Sequence, residues 1–326
     1  MKEELTQNIG YRNVFLSPDL IDLPFFSNVS SEYQNYGLSH HHYLSIYFNT
    51  NRKLPLYSAC NYDKTKFIEK DETGKTLKRG SFKLDKNINK EFQLGQGFYY
   101  SKTIDHPTEK NKNVFDRGHI ISRRYTQWGD NVFEAKRNAD ETFYFTNIAP
   151  QTWQLNQNEW EEIEAFVIEH KKLKVKKASI FSGIIFREND PIATYLDKYK
   201  KKKLELKIPV LYWKIVYYKV DDELRRVAFM LSQDSAMRKL DFLEFKEQEG
   251  IREDPFMKLN NKLKTFIVKV SLIEEHTSLK FASAIEKFGE EEPLEVVIED
   301  NNIEEGLSPD RLLNKSLRLS NISKFI

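Results

Sequence analysis

The sequence is poor in several features that mark whole classes of protein. It has one cysteine, Cys60, in 326 residues, which excludes an intrachain disulfide and a zinc site built from several cysteines. No segment approaches the run of about 20 apolar residues that crosses a bilayer. The N-terminal residues contain no apolar stretch of signal-peptide length. These absences predict a cytoplasmic protein without membrane contact, and secretion by a leaderless route stays open.

The net charge is also small: 51 Lys and Arg nearly balance 49 Asp and Glu, which leaves a total of +2. The balance is uneven along the chain. Residues 289–310 hold nine acidic groups and no basic ones, whereas residues 311–326 hold four basic groups and no acidic ones. This leaves 47 basic and 40 acidic groups, or +7, for residues 1–288. A basic body suits a polyanionic partner, although lysine-rich surfaces are common in soluble proteins.

Apolar residues make up 40% of the chain, with 23 Phe and 16 Tyr, which is enough for one large core. Apolar residues at helical spacing predict helices over 155–170 and 235–248, and Ser308 with Pro309 predicts the start of a C-terminal amphipathic helix. We predict a mixed α+β fold with a mainly antiparallel sheet. Aromatic and β-branched runs predict strands at Tyr43–Phe48, Phe143–Ile148, Ala178–Phe186, Val210–Val220, Val227–Leu231 and Thr265–Leu272.

The chain shows no internal repeat, and it has no Gly/Ser-rich or Pro-rich linker before residue 289. These observations predict one continuous domain over residues 41–288. Residues 1–40 are expected to form an N-terminal extension that packs on this domain. Residues 289–326 are expected to form the acidic segment and the C-terminal amphipathic helix.

One string of residues carries chemistry. Residues 114–120 bring Asp116, Arg117, Gly118 and His119 to one spot, and a tight turn with a satisfied histidine is the alternative to a catalytic site. Downstream, residues 143–151 predict a strand that ends in a polar turn. A helix then carries Asn156, Trp160 and Glu164 at positions i, i+4 and i+8, so that the amide and the carboxylate share one broad face. A one-metal phosphodiesterase needs this arrangement.

These motifs resemble those of the DNA/RNA non-specific endonucleases, the ββα-metal or His-Me finger nucleases, including the endonuclease G-like members. The resemblance is strong over DRGH (116–119), TNIAPQ (146–151) and LNQNEWEEIE (155–164). It continues more weakly over residues 54–59, 79–85, 180–186 and 273–281, and spans about residues 40 to 285. Two departures are Ser278, where glycine is usual, and a long stretch between His119 and Asn147. The resemblance implies a ββα-metal active-site motif.

The resemblance also implies a role for each matched residue. His119 would be the general base, Asn156 the direct protein ligand of Mg²⁺, for which Mn²⁺ can substitute, and Glu164 would hold the metal-bound waters. Asn147 would orient the histidine or the substrate, and Arg79 would neutralise charge on the phosphate. The supporting residues of the motif would be Asp116, Arg117 and Gly118.

The implied function is a metal-dependent endonuclease that hydrolyses DNA and RNA to 5′-phosphate and 3′-hydroxyl ends. The alternative is a catalytically silent nucleic-acid-binding or scaffold protein that keeps the fold. A nuclease without an export signal threatens its own cell, so we expect a regulated intracellular effector, for example in defence or as a toxin. The chain could form a homodimer, and a regulatory sensor or inhibitor protein is a further possible partner. We further hypothesise that acidic residues 289–310 imitate a phosphate backbone and compete with substrate, against the alternative of a solvated linker.

Overall fold

A computed structural model provides the fold. It describes the following ranges of the chain: 9–27, 36–99, 102–103, 114–153, 155–156, 175–197, 200–240, 243–244, 264–289, 293–297 and 316–318. No helix in these ranges is both long enough and apolar enough to span a bilayer.

Strands outnumber helices in the described ranges. The strands are β1 Phe25–Phe26, β2 Tyr36–His40, β3 Leu44–Asn49, β4 Leu54–Asp63, β5 Lys102–Thr103, β6 Phe115–His119, β7 Ile148–Thr152, β8 Lys177–Ile185, β9 Ile192–Leu196, β10 Lys203–Lys207, β11 Leu211–Val220, β12 Glu223–Ser232, β13 Leu243–Glu244, β14 Lys264–Val268, β15 Leu279–Lys280, β16 Leu294–Val297 and β17 Ser316–Arg318. The helices are α1 Gly95–Tyr99, α2 Arg123–Thr126, α3 Val132–Glu141, α4 Asp234–Met237 and α5 Val270–Thr277.

Nine strands form the main sheet, in the order β17-β16-β14-β12-β11-β8-β4-β3-β2. Neighbouring strands are antiparallel, except that β17 runs parallel to β16. The central strands are nearly continuous apolar runs because both faces of the sheet are covered, and the first eight residues of β11 are all buried. The predicted mixed α+β class with a mainly antiparallel sheet is confirmed.

Cys60 lies near the middle of β4, between its antiparallel neighbours Leu44 of β3 and Ile180 of β8. Cys60 is completely buried, and every other residue of β4 is buried as well. The thiol therefore belongs to the core of the main sheet.

Residues 9–27 pack on the surface of the main sheet. The N–H of Tyr11 donates to Oγ of Ser45 at 2.8 Å, and the Tyr11 ring lies 5.0 Å from that of Phe181. Farther along, β1 pairs with β15. Strand β2 belongs to the main sheet itself, so the sheet begins before the domain boundary proposed at residue 40.

Two predicted strands differ from the structure. Of the predicted strand Phe143–Ile148, only Ile148 lies in a strand, β7. The chain makes a 3-10 turn over Phe145–Asn147, where the buried Asn147 amide bonds to backbone groups of neighbouring segments. Strand Thr265–Leu272 is shorter than predicted. It ends with β14, and α5 follows, where Oε2 of Glu286 accepts the first helical N–H at 3.1 Å.

Two predicted helices also differ. Within the described residues, the helix expected over 235–248 is reduced to α4, and the short strand β13 lies farther along, while residues 241–242 and 245–248 lie outside the described ranges. The expected C-terminal helix is wrong for Ser316–Arg318, which form β17. Pairing of Leu317 with Val296 of β16 replaces helical bonding there. Helix α3 has no counterpart among the predicted helices, and of the helix expected over 155–170 only 155–156 are described.

Strands β6 and β7 form a separate hairpin that rests on the main sheet. The Tyr212 hydroxyl of β11 donates to the Pro150 carbonyl at 2.6 Å. The amide of Gln233 accepts from the N–H of Thr152 at 2.8 Å and donates to the same Pro150 carbonyl at 3.2 Å. These bonds fix β7, and with it the whole hairpin, against the rigid centre of the fold.

Candidate active site

His119 ends strand β6 and pairs with Ile148, the first residue of β7. The same register sets Asp116 opposite Gln151 and Gly118 opposite Ala149. Two of the three strong motifs of the sequence, DRGH and most of TNIAPQ, therefore lie on the two strands of one hairpin. The antiparallel ββ pair expected for a ββα-metal site is present, and most of the helix expected to follow lies outside the described ranges.

The imidazole of His119 is held by aromatic rings. The Phe143 ring meets it edge-on at 4.8 Å between centroids, and the Phe82 ring lies at 5.5 Å. Nε2 is buried and has no hydrogen-bond partner among the described residues, although part of the residue surface is accessible. This nitrogen is therefore available to a proton donor that enters the site.

The electrostatic surroundings of His119 disfavour its charged form. Burial, and then the positive charges of Arg79, Arg117 and Arg123, lower the pKa of His119 to about 3. The imidazole is thus neutral at physiological pH and able to accept a proton. An anion that neutralised the guanidinium groups would remove their part of the shift and so raise the pKa of His119, while the part due to burial would remain.

Arginine side chains converge on the same rings. The guanidinium carbon of Arg117 lies 4.2 Å from the Phe82 centroid, and that of Arg79 lies 5.8 Å from Phe82 and 5.3 Å from Phe143. Arg123, at the start of α2, donates to the Leu77 carbonyl at 2.7 Å. Three guanidinium groups around one neutral histidine form a site suited to a phosphate. Arg123 directly follows the short loop after the DRGH motif. This closeness in sequence is the signal that could have indicated Arg123 as a further basic residue of the site.

Asn156 is brought to the hairpin by Asp116, because its Nδ2 donates to Oδ2 of the carboxylate at 3.1 Å. This bond leaves the amide oxygen of Asn156 as a potential metal ligand. Amide and carboxylate oxygens are the donors that Mg²⁺ prefers, so these residues fit the ion. Within the described ranges no cluster of three His, Cys, Asp or Glu side chains could hold a metal. Glu164 lies outside those ranges.

Asn147 is completely buried in the turn that precedes β7. Its Oδ1 accepts from the N–H of Ile121 at 3.1 Å, and its Nδ2 donates to the carbonyls of Ile121 and Thr142, both at 2.9 Å. Its own carbonyl accepts from the N–H of Ile120. These bonds hold the two residues that directly follow His119.

Gln151 is a buried residue of the hairpin that the proposed site did not include. Both polar atoms of its amide are buried without a partner among the described residues. The side chain lies over Gly118, where an added Cβ would be 2.0 Å from Oε1. Glycine is therefore required at 118 for this packing. In the sequence, Gln151 could have been identified as a site residue from its position at the end of the TNIAPQ motif.

A buried polar network lies behind the turn of Asn147. Oδ2 of Asp85 accepts from Thr146 Oγ1 at 2.9 Å and from Ser39 Oγ at 2.8 Å, and it contacts Nε2 of His41 at 3.1 Å. His42 similarly contacts Oε1 of Glu134 at 3.0 Å. The run His40–His42 thus contains two buried histidines with carboxylate partners, which indicates a structural role for this pair.

Several known proteins and structures are similar to this chain. A protein of Sinorhizobium fredii (strain NBRC 101917 / NGR234), named uncharacterized protein y4fB, is 30% identical over 256 residues, which are 74% of this chain and 33% of that protein. Human mitochondrial endonuclease G is 38% identical over 52 residues, 16% of each chain. A structure of the EndoG/EndoGI complex aligns with a TM-score of 0.47 and 17% identity, over 75% of this chain and 84% of that chain.

The aligned part is therefore one third of the length of the Sinorhizobium relative and a smaller share of the human one. A family model matches most of the chain. The model described as DNA/RNA non-specific endonuclease matches residues 22–288, which include the whole hairpin and its arginines. The chain belongs to the DNA/RNA non-specific endonuclease family.

Proposed function

We propose that this chain hydrolyses phosphodiester bonds of both DNA and RNA and leaves 5′-phosphate and 3′-hydroxyl ends. The observation that carries the proposal is the neutral imidazole of His119, whose Nε2 lacks a partner among the described residues while three arginines surround the ring. A phosphodiester brings the negative charge that those arginines attract, and its hydrolysis needs a base for the attacking water.

His119 accepts the proton of that water at Nε2. Burial and, after it, the positive charges of the three guanidinium groups lower the pKa of His119 and keep the imidazole neutral before substrate binds. A bound phosphate offsets these charges, so the basicity of His119 rises when it is needed. Asn147 supports this step through the backbone of Ile120 and Ile121, which fixes the end of β6.

Mg²⁺ is the proposed cofactor, with Mn²⁺ as a substitute, held directly by the amide oxygen of Asn156. Asp116 orients that amide by accepting its N–H. Glu164, which lies outside the described ranges, is proposed to hold the waters of the ion, as the family resemblance implies. The bound ion supplies Lewis-acid stabilisation of charge on the phosphate and the leaving oxygen.

Sugar non-specificity follows from what the proposed groups contact. Arg79, Arg117 and Arg123 recognise phosphate oxygens, and neither they nor His119 need a ribose 2′-hydroxyl. Contacts to the backbone carry little sequence information. DNA and RNA are therefore both proposed as substrates, with little preference for sequence.

The test compares wild-type protein with His119→Ala on plasmid DNA and on single-stranded RNA in the presence of Mg²⁺. We expect the cleavage rate to fall at least about 100-fold, because general-base catalysis contributes about 10²–10⁴ in rate. Binding measured in EDTA should persist, since the base acts in the transition state. His276→Ala, which removes a histidine of α5 outside the site, should cleave at the wild-type rate.

Equal degradation by His119→Ala and wild type would contradict the proposed function. Binding without cleavage by the wild-type protein would instead support a catalytically silent nucleic-acid-binding or scaffold protein. Removal of the ion by EDTA, followed by addition of Mg²⁺ or Mn²⁺ alone, tests the cofactor on the same substrates. Activity that survives EDTA would exclude the proposed metal requirement.

A further inference from the structure

Phe82 occupies a central place among the charged groups of the site. Its half-buried ring lies 4.2 Å from the guanidinium carbon of Arg117, 5.8 Å from that of Arg79 and 5.5 Å from the imidazole of His119. One aromatic side chain thus contacts two proposed phosphate-binding residues and the proposed base. The proposed roles of those three residues do not account for why they meet on this ring.

The backbone fixes the ring in that position. Lys83 forms a bridge with Tyr144, in which its N–H donates to the Phe143 carbonyl at 3.1 Å and its carbonyl accepts from the N–H of Phe145 at 2.9 Å. Phe82 is therefore in register with the turn that leads into β7. Its ring packs against Phe143 at 5.1 Å and Phe145 at 6.0 Å, so one edge of the ring is anchored in the core.

An anchored ring alters how the arginines bind. Guanidinium groups are attracted to aromatic faces, and Arg79 and Arg117 lie close enough to use that attraction. Without it, Arg117 would lose its contact with this ring and Arg79 would keep only its ring contact with Phe143, at 5.3 Å. More of the conformational freedom of both side chains would then have to be lost when the phosphate arrives. Ordering them beforehand removes this cost from the binding step.

We propose that Phe82 is a positioning residue for substrate binding, which holds the guanidinium groups of Arg79 and Arg117 together for a phosphate of the nucleic-acid backbone. This inference rests on the proposed function, because it concerns the same phosphate site. Phe82 acts through the two arginines and makes no contact of its own with the strand.

The experiment measures the affinity of the full chain for a fluorescein-labelled single-stranded DNA oligonucleotide in EDTA, where cleavage is prevented. Phe82→Leu keeps an apolar side chain but removes the aromatic face, and its affinity should be about tenfold weaker than that of wild type. Phe82→Tyr keeps the face and should bind within about twofold of wild type. Phe92→Leu makes the same substitution at an exposed phenylalanine farther along the chain. It is the matched control and should bind like wild type.

A double-mutant cycle separates positioning from direct contact. In a chain that carries Arg79→Ala and Arg117→Ala, adding Phe82→Leu should change the affinity by less than about twofold, because the groups it positions are gone. An undiminished tenfold loss in that background would overturn the inference, since Phe82 would then contact the strand itself. Thermal unfolding of each variant verifies that the compared chains are folded.

The outcomes distinguish this inference from the proposed function. If wild type binds and cleaves while Phe82→Leu and Phe92→Leu have equal affinities, the positioning role is overturned and the proposed nuclease function stands. If wild type neither binds nor cleaves nucleic acid, the proposed function itself fails.

Discussion

His119 is the residue through which pH acts on the proposed reaction, because its imidazole must be neutral to accept a proton. Burial and the neighbouring arginines lower the pKa of His119 to about 3 in the absence of substrate. Since kcat/KM reports groups of the free enzyme, it should not fall as pH decreases through 6.5, the usual value for histidine. The acid limb should instead lie below about pH 5.

Arg79→Ala should move this limb to higher pH, because it removes a positive charge that disfavours the protonated imidazole. The measurement is kcat/KM for a short oligonucleotide between pH 4 and 8, compared with Arg238→Ala, whose guanidinium pairs with Asp234 outside the site. A limb near pH 6.5 that is identical in all three proteins would contradict the electrostatic account of His119.

Ser278 is the second residue with a specific consequence. It follows α5 with φ of 57° and ψ of 14°, a left-handed conformation that glycine adopts without strain. The family resemblance places glycine here, and the conformation gives the physical reason. Ser278→Gly should therefore raise the free energy of unfolding by about 1 kcal/mol, as measured by urea denaturation.

Glu275→Gly is a matched control for this substitution. It introduces glycine into the same helix, at an exposed position with helical geometry. There the change should lower the free energy of unfolding by about 1 kcal/mol. The same sign for both variants would show that the left-handed conformation does not explain Ser278.

At the scale of secondary-structure elements, the hairpin of β6 and β7 depends on close packing of Gln151 over Gly118. Gly118→Ala should displace the Gln151 side chain and lower both thermal stability and activity, because the new Cβ would overlap Oε1. Adding Gln151→Ala removes the overlapping atoms and should recover much of the lost stability. Thermal unfolding of the single and double variants measures this coupling.

Gly289→Ala is the control for the hairpin, since its added Cβ has no neighbour within 4 Å. It should unfold at the wild-type temperature. Failure of Gln151→Ala to relieve the defect of Gly118→Ala would mean that glycine is required at 118 for another reason.

The sequence predicts elements well where one apolar run is one buried strand. The predicted strands Ala178–Phe186 and Val210–Val220 agree closely with β8 and β11. Prediction fails where tertiary hydrogen bonds end a run, as in the turn of Asn147 and at the start of α5. Those bonds join residues distant in sequence, so no local pattern contains them.

The start of helix α3 has a local helix-capping signal in the sequence. Asn131 accepts from the N–H of Glu134 at 3.0 Å, and this pair at the helix start matches a capping pattern. For the candidate site, the motifs indicated His119 and its partner strand, and the structure places these together. The roles of Arg123, Phe82 and Gln151 depend on packing between segments and could not be derived from spacing alone.

At the scale of the whole molecule, part of the acidic C-terminal region belongs to the main sheet. Strand β16 pairs with β14, and β17 pairs with β16. Strands β14 and β12 separate β16 from β11, on which the hairpin rests, a distance of about 14 Å at the usual strand spacing. Leu294–Val297 of the segment that was hypothesised to imitate substrate therefore have a structural role in the main sheet.

Truncation after Phe288 should lower the thermal midpoint and cause self-association, because it exposes the hydrogen-bonding edge of β14 beside the buried residues Phe266 and Ile267. Light scattering after size exclusion, at several concentrations, measures the association. The variant Glu304→Gln/Glu305→Gln removes charge and retains both strands, so its association state should equal that of the wild type. A truncated chain that is monomeric, equally stable and more active would favour the competition hypothesis over this structural role.

Because Cys60 is buried in the middle of β4, the reactivity of its thiol can report how often the main sheet opens. A thiol reagent can reach this sulfur only after the strand separates from its neighbours, so the labelling rate under native conditions measures how often the sheet opens. A cysteine introduced on the surface would, on the same grounds, react far sooner than Cys60. A single dye could then be attached beside the hairpin to follow strand binding, without first removing the native thiol.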